Sequence, residues 1–207
     1  MDIKDIENIF KNKDAGYIGR HACFSVLVPL VRMDDSVEVL FEKRSSVIAR
    51  QPGEICFPGG MKENGESDLE CAIRETSEEL GIEYRDIHVG AKVGTLNTYG
   101  GYIIQVYTGE IASDILKKSA PSEIEVEELF TVPLDFFLKN SPDVYKSRIS
   151  SQVGDEFPND LIGFPGGYPW KVSEGEIPVY VYGDYVIWGI TGRIIRYFAE
   201  VINENII

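Results

Sequence analysis

The stretch GMKENGESDLECAIRETSEELGI, residues 60–82, decides how the rest of this 207-residue chain is interpreted. Ser67 is followed three positions later by Glu70, a capping-box pattern that predicts the start of a helix. Gly81 is the expected end of that helix, because glycine adopts the left-handed conformation found there. The apolar and small residues that fall within one arc, and so predict the buried face, are Leu69, Ala72, Ile73, Thr76 and Leu80.

Three carboxylates follow at helical spacing. Glu75, Glu78 and Glu79 stand at i, i+3 and i+4, so they are expected to gather on a face away from the apolar arc. Each like-charge pair costs roughly 0.2–0.5 kcal/mol on an exposed helix. A hard divalent cation such as Mg²⁺ or Mn²⁺ prefers carboxylate oxygens and would reverse that repulsion. The helix alone is therefore compatible with either a solvated acidic face or a cation site.

The wider spacing of the stretch resembles the Nudix box, the signature of the Nudix hydrolases. The matching positions are Gly60, five residues, Glu66, seven residues, Arg74-Glu75, two residues, Glu78-Glu79, one residue, and Gly81-Ile82. Thr76 departs from the family, which usually has an aliphatic residue there, and this change is expected to affect packing rather than chemistry. The resemblance implies the Nudix fold, an α/β class architecture in which an α/β/α sandwich surrounds a mixed β-sheet.

Composition limits the domain count and the class of partner. The chain is 43% hydrophobic and 26% charged, which is ordinary for a soluble globular protein. A net charge of −14 argues against nucleic acid as a partner, because that binding is mostly cationic. We expect a single Nudix domain over residues 1–207, with the box at 60–82 and two additions, an N-terminal helix at 1–14 and a C-terminal helix at 189–205.

Cysteine usage and the N-terminus favour a cytoplasmic protein. Cys23, Cys56 and Cys71 are odd in number and lack metal-ligand spacing, which predicts free thiols in a reducing compartment. The acidic N-terminus does not resemble a signal peptide, and the longest apolar run, residues 24–31, is too short to cross a membrane. The sequence thus predicts no membrane partner, and it leaves a homodimer open.

Two further segments resemble the coenzyme A pyrophosphatases, a subgroup of the Nudix family. Before the box, the matching positions are Leu40, Ser45, Gly53 and Phe57-Pro58-Gly59-Gly60. Near the C-terminus, residues 187–191 (IWGIT) resemble the IWGLT-type ending of that subgroup. Ala49 stands where the subgroup has Arg, Gln51 lies near the usual His, and Glu63 replaces a common Asp. These departures concern substrate identity and leave the carboxylates of the box in place.

The remaining chain predicts strands, turns and one irregular insertion. Predicted strands cover residues 22–31, 37–41, 87–96, 102–111, 179–182 and 186–188, and residues 97–101 form a turn that could also cover the substrate. Residues 157–170, rich in Gly, Pro and aromatics, are expected to be irregular. Residues 122–134 resemble the Nudix segment that supplies a further carboxylate. The register to the family segment places Glu125 at that carboxylate, with Glu123 and Glu128 as alternatives. A solvated acidic helix start is the other interpretation of this segment.

The resemblance implies metal-dependent hydrolysis at a phosphorus of a nucleoside diphosphate derivative. A cation, Mg²⁺ or Mn²⁺, would neutralise the diphosphate and lower the pKa of water. The predicted metal site consists of Gly60, Glu75, Glu78 and Glu79. The predicted catalytic set is Glu78, Glu79, Arg74 and Glu125, in which Arg74 orients the glutamates. The predicted substrate contacts are Arg44, Arg50, Phe57, Gly59 and Gly60.

Coenzyme A and its thioesters are the substrates that the two subgroup motifs favour. Cleavage would give adenosine 3′,5′-bisphosphate and 4′-phosphopantetheine. ADP-ribose or a dinucleoside polyphosphate is an alternative substrate, and a non-catalytic module that binds a nucleotide is an alternative of a different class. The pantetheine arm calls for an apolar or aromatic groove, which residues 157–170 or 180–185 could supply.

Overall fold

The structure is a computed structural model that describes residues 2–11, 13 and 17–206. Besides a single 3-10 turn at Tyr84–Asp86, its elements are α1 (Ile3–Lys11), β1 (Ala22–Arg32), β2 (Val37–Arg44), β3 (Ile55–Cys56), β4 (Gly59–Met61), α2 (Asp68–Leu80), β5 (Ile87–Asn97), β6 (Tyr102–Ile111), α3 (Ser113–Leu116), β7 (Val126–Pro133), α4 (Leu134–Lys139), β8 (Asp143–Ile149), β9 (Ser173–Tyr182), β10 (Tyr185–Trp188) and α5 (Gly189–Asn205).

The larger sheet is mixed, as predicted. Its strands run in the order β3-β2-β1-β6-β5, with β4 also paired to β1 and β7 to β2. Strands β1 and β6 are parallel, and the other pairs are antiparallel. Leu27, Val28 and Val31 of β1 are fully buried, which is why this central strand is an almost continuous apolar run.

Strand β1 forks within the sheet. Its residues 30–32 pair with β2, whereas its residues 24–26 pair with β4. The end of β2 turns instead to β3, through the pairs of Glu42 with Cys56 and Lys43 with Ile55. The short run from β3 to β4 therefore bridges two diverging strands, and the FPGG motif lies in that bridge.

Two hydrophobic cores cover the two faces of the sheet. Successive residues of β2 pack into opposite cores. Leu40 packs with α2, whereas Val39 and Phe41 pack with α4 and α5. The three-stranded sheet of β8, β9 and β10 lies on the α5 side, with Tyr180 and Ile187 in that core. Helices on both faces of a mixed sheet confirm the predicted α/β/α sandwich.

Helix α2 has the predicted ends. The Ser67 hydroxyl accepts from the Glu70 N–H at 3.2 Å, and the Glu70 carboxylate accepts from the Ser67 N–H at 2.7 Å. Gly81 closes the helix in the left-handed conformation, with φ of 64°. The buried Thr76 donates its hydroxyl to the Ala72 carbonyl at 2.7 Å, so its polar atom is satisfied within the helix.

Glu75, Glu78 and Glu79 are predicted to gather away from the apolar arc, and the structure shows that they differ in burial, with Glu79 on the buried side of α2. This side chain is only 5% exposed, whereas Glu78 is exposed and Glu75 is half-buried. The cause is the FPGG bridge, which lies against the last turns of α2 and covers Glu79 but not Glu78.

The ends of several predicted elements also change. Strand β2 extends to Arg44 because it pairs with β7 up to that residue, and β9 begins at Ser173 because it pairs with β8 from there. The local sequence pattern shows neither pairing. The C-terminal helix matches residues 189–205, and residues 157–170 form turns and irregular backbone as expected. Of the helix predicted at 1–14, the structure shows α1, while residues 1, 12 and 14 lie outside the described residues. None of the described helices is long and apolar enough to span a membrane.

Candidate active site

Two adjacent glycines bring the FPGG backbone against its neighbours. Gly59 has φ of 153°, and a side chain there would collide with the backbone of β1 at Ser25 and Val26. A Cβ on Gly60 would overlap the carboxylate of Glu75. The Gly60 carbonyl, predicted as a metal ligand, faces α2, where it accepts from the Cys71 thiol at 3.6 Å. Gly59 is therefore required by its close approach to backbone, whereas a side chain at Gly60 would have to displace the Glu75 carboxylate.

Arg74 connects three carboxylates of the box. Its Nε and Nη2 donate to the two oxygens of Glu66 at 3.1 and 2.9 Å, while Nη1 donates to Glu75 at 2.8 Å and to Glu78 at 3.2 Å. The hydrogen bond from Arg74 lowers the pKa of Glu66 to about 2. This geometry supports the predicted orienting role of Arg74. It also gives Glu66 a role as the anchor of the guanidinium, which the sequence analysis did not assign.

Glu79 is the most buried carboxylate of the box. Its Oε2 accepts from the Gly59 N–H at 2.8 Å. Burial, and then the charge of Glu42, raise the pKa of Glu79 well above its ordinary value. Burial also raises the pKa of Glu75, although the hydrogen bond from Arg74 opposes that shift. The raised pKa values show that Arg74 and Arg44 only partly compensate the negative charges of Glu75 and Glu79.

Glu42, on β2, is a functional candidate that the sequence analysis missed. It is 1% exposed, its Oε1 accepts from the Cys56 thiol at 3.1 Å, and its Oε2 has no hydrogen-bond partner. Burial raises the pKa of Glu42 to about 7. Arg44 Nη1 lies 3.9 Å from Glu42 and 4.0 Å from Glu79. The local sequence gives no signal for this residue, because an acidic residue near a predicted strand end is normally solvated.

Most of the predicted residues meet in one cavity of about 560 Å³, which we call the first cavity. The predicted residues that line it are Arg44, Arg50, Phe57, Gly59, Gly60, Glu75, Glu79 and Glu125. Arg74 and Glu78 are not part of the lining. Residues that the prediction missed are Phe24, Tyr102, Trp188 and Thr191. Trp188 and Thr191 belong to the C-terminal motif, and the Thr191 hydroxyl donates to the Ile55 carbonyl at 2.9 Å, which explains how that distant motif reaches the site.

Glu125 reaches the first cavity because its segment is fixed at both ends. The Ser122 N–H donates to the Glu79 carbonyl at 3.1 Å, and the Ser45 N–H donates to the Glu125 carbonyl at 2.8 Å. Residues 123–125 form a turn before β7, so the alternative of an acidic helix start is wrong. Glu123 lines neither cavity described here, and Glu128 lines another one, so the positions support the choice of Glu125.

A second cavity, also of about 560 Å³, adjoins the first. It lies between the loop before β3 and the β9–β10 hairpin. Its lining consists of Lys43, Pro52, Gly53, Glu54, Ile55, Glu128, Asp184, Tyr185, Val186 and Trp188. Glu54 and Trp188 line both cavities. Of the two segments predicted to hold a pantetheine arm, residues 180–185 contribute Tyr185 and Asp184, while residues 157–170 line neither cavity.

The side chains fit a hard divalent cation by charge and donor type. Five carboxylates lie within 4.0 Å of two guanidinium groups, Glu42 and Glu79 at Arg44 and Glu66, Glu75 and Glu78 at Arg74. Glu125 adds a sixth carboxylate to the lining of the first cavity. One buried carboxylate oxygen is unpaired. Among the described residues, no three acidic, His or Cys side chains already converge as a metal site, since Arg74 and Gly59 engage the glutamates. The excess of oxygen donors favours Mg²⁺ or Mn²⁺ over softer metals.

Known proteins share both sequence and fold with this chain. The NUDIX domain model matches residues 22–146. The peroxisomal coenzyme A diphosphatase NUDT7 of Mus musculus is 31% identical over 98% of this chain and 81% of its own length. Nudix hydrolase 3 of Caenorhabditis elegans is 27% identical over 90% of this chain and 75% of its own length.

A solved structure extends the comparison to the fold. The MutT/nudix family protein from Enterococcus faecalis superposes with a TM-score of 0.51 at 15% identity, covering 98% of this chain and 70% of the other. The domain match alone spans more than half of the chain, and it contains the box, the FPGG bridge and Glu125. The chain therefore belongs to the Nudix family of pyrophosphohydrolases.

Proposed function

We propose that this protein hydrolyses the pyrophosphate bond of coenzyme A or its thioesters to adenosine 3′,5′-bisphosphate and 4′-phosphopantetheine. The observation that carries the proposal is the first cavity, which presents the acidic cluster of Glu75 and Glu79 together with Arg44 and Arg50. A diphosphate needs the cation that such a cluster attracts, and a further phosphate needs its own positive charge. The mouse relative, named as a coenzyme A diphosphatase, supports this substrate.

The residues that would hold the cation are Glu75, Glu78, Glu79 and the Gly60 carbonyl. When bound, Mg²⁺ or Mn²⁺ would neutralise phosphate oxygens and make a water molecule more acidic. Arg74 keeps Glu75 and Glu78 side by side through its Nη1, so their positions are set before substrate arrives. Glu66 in turn fixes the guanidinium with two hydrogen bonds.

Two carboxylates in the first cavity can accept the proton of the attacking water. The Oε2 of Glu79 is engaged by the Gly59 N–H, which leaves its Oε1 facing Arg44 at 4.0 Å. Without a cation, the raised pKa of Glu79 makes this carboxylate a stronger base than a solvated one, whereas a cation held by its Oε1 would remove that advantage and leave Glu79 as a ligand. Glu125 enters from the turn before β7 and is the second candidate.

The two arginines of the first cavity differ in how free they are. Arg44 lies between Glu42 and Glu79, so it is held at the cavity wall beside the acidic cluster. Arg50 is exposed and forms no ion pair with the described residues. We assign Arg44 to the diphosphate and Arg50 to the 3′-phosphate, because a charge that is not compensated within the protein can bind a ligand at lower cost.

The cellular setting follows from the same chemistry. All three cysteines are free, which fits a reducing compartment, and we propose a cytoplasmic location with a small-molecule nucleotide as the partner. We also propose a homodimer, which gel filtration with light scattering would test. The proposal further includes a single Nudix domain over residues 1–207.

The test is turnover of coenzyme A, ADP-ribose and a dinucleoside polyphosphate at one Mg²⁺ concentration, with products identified by mass. We expect coenzyme A to have the highest kcat/KM and to yield the two products named above. A higher kcat/KM for ADP-ribose or the dinucleoside polyphosphate would replace the proposed substrate within the same enzyme class. Tight nucleotide binding without turnover of any of the three would instead identify a non-catalytic module.

A further inference from the structure

The second cavity has a chemistry that differs from that of the first. Both open onto Trp188 and Glu54, so a ligand held by its diphosphate in the first cavity can continue into the second. Trp188 is 45% exposed, a large fraction for an indole side chain within a wall. Such a ring offers apolar contact area to whatever passes between the cavities.

The charges of the second cavity exclude the phosphorylated half of the substrate. Its only cation among the described residues is Lys43, which is paired with Glu127 at 2.5 Å. Against it stand the carboxylates of Glu54, Glu128 and Asp184. Adenosine 3′,5′-bisphosphate carries several negative charges, and placing it here would add like-charge repulsion. The anionic half must therefore lie on the side of Arg44 and Arg50.

The remaining surface suits a neutral chain with amide groups. Pro52, Ile55 and Val186 supply aliphatic contacts. Tyr185 is held rigidly, since its ring stacks on Phe130 at a centroid distance of 3.6 Å and its hydroxyl donates to Glu128 at 2.6 Å. Carboxylate oxygens accept hydrogen bonds from amide N–H groups.

We propose that the second cavity binds the neutral, amide-bearing arm of the substrate and disfavours arms that end in a carboxylate. This inference rests on the proposed function, because it places the two halves of coenzyme A in two cavities. It also predicts selectivity among acyl thioesters. A short neutral acyl group is accepted, whereas an acyl group with a free carboxylate meets Asp184 and Glu128.

Binding without turnover provides the first readout. The chain has two tryptophans, Trp170 and Trp188, so Trp170→Phe leaves Trp188 as the sole tryptophan fluorophore, at the junction of the cavities. In this background, with Ca²⁺ in place of Mg²⁺ so that the diphosphate keeps a cation, acetyl-coenzyme A and succinyl-coenzyme A are titrated against Trp188 emission. We expect the neutral thioester to bind about threefold to tenfold more tightly, the effect of a few partly screened like charges.

The double variant Glu128→Gln with Asp184→Asn then tests whether these two carboxylates cause the preference for the neutral thioester. Both amides keep the size of the side chain, and the amide at position 128 retains an oxygen that can accept from the Tyr185 hydroxyl. We expect the preference for acetyl over succinyl to fall to less than about twofold, in binding and in kcat/KM, once these like charges are removed. Asp160→Asn in the irregular insertion should leave the preference unchanged.

Equal binding of both thioesters by the parent, or an unchanged preference in the double variant, would overturn the inference. Absence of turnover with normal selectivity in binding would overturn only the proposed function.

Discussion

Gly60 lies directly against the carboxylate of Glu75, and no group larger than hydrogen fits between them. Gly60→Ala should therefore displace Glu75 from Arg74 and disturb the acidic cluster. We expect Mn²⁺ affinity and kcat/KM each to fall at least ~10-fold, the order of effect of losing a positioned charged contact. Isothermal titration and initial rates measure the two quantities.

Gly166→Ala is the matched control for Gly60→Ala. Gly166 has no heavy atom near the position of an added Cβ, so this variant should keep both Mn²⁺ affinity and activity. Wild-type metal binding by Gly60→Ala would show that the close contact has no functional role.

Arg74→Lys tests whether the planar guanidinium orients the glutamates. Lysine cannot bind both oxygens of Glu66 while also reaching Glu75 and Glu78, as Arg74 does. We expect lower kcat and weaker Mn²⁺ binding, with a rise in the pKa of Glu66 from about 2 that carbon-detected NMR can follow. The depressed pKa of Glu66 contributes stability that is present above the unfolded value of 4.5 and is lost as pH falls towards 2, so the variant should lose less stability over that range.

The surface variant Arg85→Lys serves as the comparison for Arg74→Lys, since Arg85 pairs only with the exposed Glu83 among the described residues. Equal rates and metal affinities for Arg74→Lys and wild type would reduce Arg74 to a surface charge.

Glu79→Gln tests the buried carboxylate of the box. Glutamine keeps an oxygen for the Gly59 N–H but removes a charge, so turnover should fall at least ~10²-fold, corresponding to roughly 2.7–4 kcal/mol of barrier. Folding should survive, because the burial that raises the pKa of Glu79 penalises its charged form. Rates with thermal unfolding curves check both expectations, and Glu204→Gln on α5 is the neutral control. Full activity in Glu79→Gln, or in wild type after exhaustive chelation, would contradict the metal assignment.

Glu42→Gln should change how stability depends on pH. With a pKa of about 7 against an ordinary 4.5, folded Glu42 holds its proton when the unfolded chain has lost it. Without divalent cation, the free energy of unfolding should thus fall as pH rises from about 4.5 through 7, by on the order of 2–3 kcal/mol from this group. The variant should show a flatter profile in urea unfolding at several pH values.

Glu38→Gln, four residues earlier on β2, is the matched control for Glu42→Gln and should keep the wild-type slope. Parallel pH profiles for wild type and Glu42→Gln would mean that Glu42 stays ionised in the fold.

Arg50→Gln addresses the 3′-phosphate. If Arg50 contacts this group, wild type should use dephospho-coenzyme A with a kcat/KM about tenfold to a hundredfold below that of coenzyme A, as for a charge-assisted contact of roughly 1.5–3 kcal/mol. Arg50→Gln should lose that preference, while Arg148→Gln on β8 retains it. Equal use of the two substrates by wild type would leave Arg50 without a special role.

The sequence predicted those parts of the fold and site that depend on local pattern or on spacing. The capping box at Ser67, the helix end at Gly81 and the two strands predicted at 22–31 and 37–41 depend on neighbouring residues, and all are present. The family resemblance also singled out Glu125, which directly precedes β7 and lines the first cavity, while its catalytic role stays a prediction. These features need no knowledge of what packs against them.

What the sequence did not reveal depends on contacts between distant segments. Glu42 becomes a buried, partly unpaired carboxylate only because β3 covers it through Cys56. Glu79 departs from its exposed neighbour Glu78 only because the FPGG bridge lies above it. Likewise Trp188 joins two cavities because Thr191 fixes the start of α5 to Ile55. Local periodicity contains none of this information.

The fork in strand β1 separates the strand that contacts the acidic helix α2 from the strand that leads into the loop before β3. Along one branch, β4 carries the glycines that meet α2, and along the other, β2 leads into the loop of residues 45–54. That loop is anchored at its ends, by the Arg44 N–H to the Glu54 carbonyl and the Ser45 N–H to the Glu125 carbonyl, at 2.9 and 2.8 Å. Because both ends are fixed by backbone hydrogen bonds, we expect the interior of this loop, including Arg50, to tolerate sequence changes without moving β2 or β4.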